Sequence, residues 1–151
     1  MELTDIKLFS PEIALIIGSI FILLYGIFFK DNADSNKNIL YITLTSLLIS
    51  FYCSIYLVDP NTTLFNDLLD NDPFTLFFKV IVFSGTLVIT YISYNYLRDL
   101  NIITPEFFFL ILLSLVGVLI LISSRNIISM YLGLELQSIC LYILAAYTKY
   151  E

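Results

Sequence analysis

The segment Met130-Tyr131-Leu132-Gly133-Leu134-Glu135-Leu136-Gln137-Ser138 sets one carboxylic acid in the middle of an otherwise apolar stretch. If the stretch is helical, Tyr131, Ser138 and Tyr142 share the face of Glu135 at i−4, i+3 and i+7, and Gln137 adds an amide at the same depth. A carboxylate in the middle of a bilayer costs on the order of 3 kcal/mol on insertion scales. It must therefore be neutral, paired or hydrated. Desolvation favours its protonated form and an approaching cation its ionised form, so such a group can load and release a proton. The plainer role is a protonated Glu that ties helices together. Hydrogen bonds of that kind average about 0.6 kcal/mol in a membrane protein, a small return against the insertion cost. We therefore read Glu135 as the buried acid of a proton or charge relay, with Tyr131, Gln137, Ser138 and Tyr142 as supporting polar groups.

Lys79 is the second candidate. It falls about a turn and a half inside an apolar segment, roughly 10 Å from the midplane by helix rise. A lysine so near a helix end can snorkel to the interface, and we read it so, ahead of a role in proton movement. The cation that would partner Glu135 is then expected on another polypeptide.

These residues need a membrane scaffold, and the composition supplies one. Of 151 residues, 59% are hydrophobic and 13% charged, with mean hydropathy +0.92; soluble domains run near 45–50% and 25%. The fold class expected is an all-α membrane protein, a single bundle of about five transmembrane helices over residues 1–151. Pro11 to Phe29 opens with Ser10-Pro11-Glu12, a capping hydroxyl, a proline at the first helical position and an acid at the positive dipole end. Its nineteen residues span roughly 28 Å, close to the hydrocarbon thickness. Ile39 to Val58 follows, with Thr43, Ser46, Ser50 and Cys53 on one face, a packing stripe for a neighbouring helix. A loop bearing Asp59, Asp67, Asp70 and Asp72 leads to a helix at about 73–97, started by Asp72-Pro73 and carrying the stripe Thr86, Thr90 and Ser93. Thr104-Pro105-Glu106 starts the fourth helix, to about Ser123, and the fifth runs from about Asn126 to Tyr147.

Lys30, Lys37, Arg98 and Lys149 fall on one side of this arrangement and Lys7 and Arg125 on the other. The positive-inside rule then puts the N-terminus outside and the C-terminus on the matrix or cytoplasmic side. Met1 to Ser10 lacks the basic leader of a targeting peptide. The bias toward Ile, Phe, Tyr and Asn is that of an AT-rich genome such as an organelle's. A net charge of −6 with scattered basic residues speaks against nucleic acid. There is no His, and Cys53 and Cys140 form no CxxC pair, so no metal site or cofactor site is expected in this chain. No nucleophile–base pair or phosphate loop is present, so no independent enzyme activity is expected.

The string Met130 to Ser138, followed by Cys140-Leu141-Tyr142 and Ala145-Ala146, resembles subunit 2 of respiratory NADH:ubiquinone oxidoreductase, complex I. Glu106-Phe107, Leu110 to Ser114, Ile127 to Tyr131 and the opening Pro11-Glu12-Ile13 fit the same subunit. The resemblance covers most of the chain and is specific from about Glu106 onward. It implies an antiporter-like, non-redox membrane-arm subunit, with flavin, iron–sulfur clusters and quinone on other subunits. It implies that Glu135 pairs with a lysine on a later helix and couples neighbouring subunits. It places the chain in the mitochondrial inner membrane, or in a bacterial inner membrane as the alternative, among lipids and other membrane-arm subunits. Subunit 2 continues for many more helices, so a split subunit is expected, with a separate chain supplying the lysine helices. The competing readings are a fragment of a cation/proton antiporter complex and a structural membrane scaffold.

Overall fold

Backbone amides in hydrocarbon have no water to bond, so apolar blocks of this length can satisfy them only by closing into helices. The computed structural model describes residues 9–28, 35–56, 62–64, 68–100 and 102–147. It contains α1 (Ser10–Phe28), α2 (Ser35–Tyr56), α3 (Pro73–Asp99), α4 (Pro105–Ser123) and α5 (Ile127–Ala146). All five are long and apolar enough to cross a membrane, and the chain is an all-α membrane protein. Helix α2 starts at Ser35, earlier than the hydropathy indicates, because its first turn is polar and lies beyond the apolar block. Phe29, Leu57 and Val58, expected at helix ends, lie outside the described residues, as do Lys7, Lys30 and Lys149.

The start signals work differently from their expected form. Asp72, Thr104 and Asn126 take the extended backbone of an N-cap, yet none makes a side-chain capping bond. Proline at the first turn of α3 and α4, which needs no N–H partner, sets those starts instead. The Thr104 hydroxyl is drawn across the bundle to the Tyr147 hydroxyl. Ser10 is the first residue of α1 rather than its cap, and its Oγ is buried without a partner among the described residues.

Successive helices run in alternate directions, as their end contacts show. At one end the Ser50 Oγ donates to the Pro11 carbonyl at 2.7 Å. At the other, the Asn38 amide donates to the Tyr25 hydroxyl at 2.7 Å. A Cβ added to Gly26 there would fall 2.2 Å from Pro105 Cγ. Helix α4 is the centre of the bundle. Phe108, Leu112, Leu115, Val116 and Leu119 are buried, and half of its span is covered, against 17% for α5.

Residues expected as loop between α2 and α3 instead include a two-stranded antiparallel hairpin, β1 (Thr62–Leu64) and β2 (Leu69–Asn71), paired Thr62 with Asn71 and Leu64 with Leu69. It docks on the α4–α5 turn. The Arg125 N–H donates to the Leu68 carbonyl at 3.0 Å, Leu69 bridges Ser124, and Ser129 Oγ reaches Leu68 O at 3.0 Å. The Arg125–Asp70 pair at 3.6 Å is partly exposed and contributes little. This marks the hairpin end of the bundle. Asp59 and Asp67 lie outside the described residues.

The polar stripes serve packing. Thr43, Ser46 and Ser50 are buried, and Ser46 lies where a Cβ on Gly18 would fall 2.4 Å from its own Cβ. Thr43 and Ser46 spend their hydroxyls on carbonyls of their own helix, Ile39 and Thr43. Cys53 is half-buried and Cys140 buried, both free. On α3, Thr90 is buried. Thr86 and Ser93 line a cleft of about 230 Å³ with Ser114 between α3, α4 and α5.

Two glycines bring α4 and α5 into backbone contact. A Cβ on Gly133 would fall 2.8 Å from Gly117 O and 2.9 Å from Leu121 N, and one on Gly117 would fall 2.8 Å from Gln137 N. Backbone atoms cannot swing aside as a side chain can. Gly133→Leu is therefore expected to force the helices apart and lower stability by about 1–3 kcal/mol. Gly85→Ala, which meets open space, serves as the neutral control in thermal unfolding in detergent. Equal midpoints for the two variants would contradict the close crossing.

Candidate functional site

The glycine contact decides where Glu135 points. At 100° per residue, two positions beyond Gly133 is a rotation of about 200°. With Gly133 turned onto α4, Glu135 faces the opposite way. The other residues that α5 buries, Ser129 and Cys140, lie on the Gly133 side, whereas Leu132, Ile139 and Tyr142 are exposed beside Glu135. The carboxylate thus sits mid-helix but is left exposed by the chain's own helices. Among the described residues, none buries it.

The four supporting residues divide. The Tyr131 hydroxyl, one turn earlier on the same face, interacts with the Glu135 carboxylate. Ser138 turns its hydroxyl back to the Leu134 carbonyl at 2.6 Å, the usual habit of serine in a helix. Tyr142 is 73% exposed and looks out along the same uncovered face. Gln137 is half-buried, with its backbone N–H against Gly117.

Lys79 does not snorkel. It is 2% exposed and its Nζ lies 3.2 Å from Glu12 Oε1, on the first turn of α1. The reason is its register. Thr75, Lys79 and Phe83 recur every four residues and form the inward stripe of α3, so the ammonium is directed between helices rather than along the surface. Phe83 is itself buried and packs edge-on against Phe51 of α2, ring centroids 5.7 Å apart.

Glu12 was read from the sequence only as an acid favouring a helix start. It is instead the acid buried among the described residues, 2% exposed. A signal for this existed. One lysine and one acid, each within two turns of the same end of their helices, could have been paired once α1 and α3 were known to touch. Lys79, held by Glu12, is not the cation for Glu135.

The arrangement on α5 is an exposed carboxylate at mid-span, with Tyr131 one turn earlier on the same face, on a helix of which 17% of the span is covered. The chain is similar to subunit N of NADH-quinone oxidoreductase. It is 33% identical to that subunit from Pelagibacter ubique over 146 residues, 96% of this chain and 30% of the relative. With the Paramagnetospirillum magneticum subunit it shares 34% over 139 residues, 92% of this chain and 28% of the relative. With the Rhodobacter capsulatus subunit it shares 32% over 147 residues, 97% and 30%. The chain therefore spans about 30% of the length of the curated subunit N relatives it matches. No protein-family model matches it.

Proposed function

We propose that this chain is the leading part of the antiporter-like subunit of a proton-translocating NADH:quinone oxidoreductase, subunit 2 in the respiratory nomenclature. It contributes Glu135 to the proton and charge relay and carries no redox centre. The observation that supports this best is the exposed face of α5, where Glu135 stands at mid-span, Tyr131 lies one turn earlier, and 17% of the helix span is covered. The similarity to subunit N, over 96% of this chain and 30% of the relative, adds to it.

On this reading the lysine helices that cover Glu135 lie outside residues 1–151. Flavin, iron–sulfur clusters and quinone belong to other subunits of the complex. The membrane is the mitochondrial inner membrane, with the N-terminus toward the intermembrane space and the C-terminus toward the matrix; a bacterial inner membrane is the counterpart for the relatives compared above. The hairpin end then faces the intermembrane space, and Lys37 and Arg98 lie at the matrix end, in keeping with the positive-inside rule.

The test is the identity of what accompanies the chain. Mild detergent isolation by a tag on this chain, followed by mass spectrometry, should recover flavin- and iron–sulfur-bearing subunits together with a hydrophobic chain holding intramembrane lysines. Recovery with antiporter subunits and Na⁺-dependent exchange would replace the reading. Recovery with neither would leave a scaffold role and remove the relay.

A further inference from the structure

Six buried side-chain atoms at the hairpin end lack a hydrogen-bond partner among the described residues: Ser10 Oγ, Glu12 Oε2, Ser54 Oγ, both amide atoms of Asn71 and Ser123 Oγ. Elsewhere in the described residues only the Thr90 hydroxyl is in that state. The grouping follows from the fold. Ser50 bonds to Pro11, which sets the last turns of α2 beside the first turn of α1, and Ser54 lies one further turn toward that end. Asn71 closes β2 just before α3 begins, and Leu69 of the same strand bridges Ser124, next to Ser123.

Buried polar atoms without partners are costly, and native proteins rarely keep them. Six scattered orphans would have six local explanations. Six at one end of one bundle share a simpler one, small partners of one kind that both donate and accept. Glu12 Oε2, ionised, can only accept; a serine hydroxyl does both, and the Asn71 amide offers a donor and an acceptor. Water meets all of these needs, and buried water typically makes about three such bonds. Lys79 on Oε1 makes a bound cation at Oε2 electrostatically unfavourable.

We propose that Glu12, Lys79, Ser54 and Asn71 frame a buried water-binding site that hydrates the ion pair and connects it to the aqueous phase at the hairpin end. The site is separate from Glu135 and does not depend on the reading of α5. Its consequence is a second acid–base pair in the leading helices that exchanges its protons with one side of the membrane only.

The test uses the full chain in its native membrane assembly. A density map that resolves ordered water should show a peak within hydrogen-bond distance of Glu12 Oε2, with further peaks toward Ser54 and Asn71. In infrared difference spectra, the Glu12 carboxylate band, identified by its loss in Glu12→Gln, should shift promptly when H₂O is replaced by D₂O. Should Glu12→Gln fail to assemble, the double variant Glu12→Gln/Lys79→Met supplies the reference spectrum. A dry Glu12 Oε2 in the map, or a band unmoved by heavy water, overturns the site.

Discussion

Lys79→Met is expected to destabilise the chain by about 3–5 kcal/mol, because it leaves the Glu12 carboxylate buried without its cation. The pair is separated by 67 residues in sequence and both members are about 2% exposed. Neither side chain reaches bulk solvent. Glu12→Gln alone should cost a similar amount by stranding the ammonium. The double variant Glu12→Gln/Lys79→Met, which removes both charges, should regain most of the loss, since an uncharged pair carries no desolvation penalty of that size. Thermal unfolding of all four proteins in one detergent forms the cycle. A Lys79→Met protein as stable as the parent would mean that the pair is not buried in the membrane-embedded molecule.

Glu135→Gln, by contrast, should leave assembly largely intact and, on the proposed relay reading, lower proton pumping coupled to quinone reduction by about tenfold, or about 1.4 kcal/mol of barrier. The side chain keeps its size, and α5 is held by Ser129, Gly133 and Cys140 on the opposite face, so the fold has little reason to change. What is lost is the capacity to bind and release a proton. Glu135→Leu distinguishes this from a scaffold role. A scaffold would be stabilised by the added apolar surface, with no functional loss. A relay would lose pumping in both variants, and wild-type pumping in Glu135→Gln removes Glu135 from the mechanism.

The two carboxylates show where local reasoning ends. Glu135 is conspicuous in the sequence because polar residues are rare around it, and its depth follows from counting along one helix. Glu12 is inconspicuous because an acid beside a proline at a helix start already has a sufficient local explanation. Lys79 was misread for the same kind of reason. Proximity to a helix end permits snorkelling, but whether the side chain turns inward depends on which face of α3 meets α1 and α2. The hairpin, too, has little local signal, since its strands are three residues long and are supported by the turn between α4 and α5.

By itself, the sequence determined that this is a membrane bundle of five helices, because the cost of unbonded backbone in hydrocarbon leaves no other use for apolar blocks of twenty residues. It also determined that Glu135 falls near the middle of its helix, which depends only on counting residues. Tertiary structure alone decided the rotation of each helix about its axis. The Gly117–Gly133 contact turns Glu135 away from the bundle, and the stripe from Thr75 to Phe83 turns Lys79 into it. Hydropathy is insensitive to such rotations, whereas the energy of a buried charge depends on them entirely.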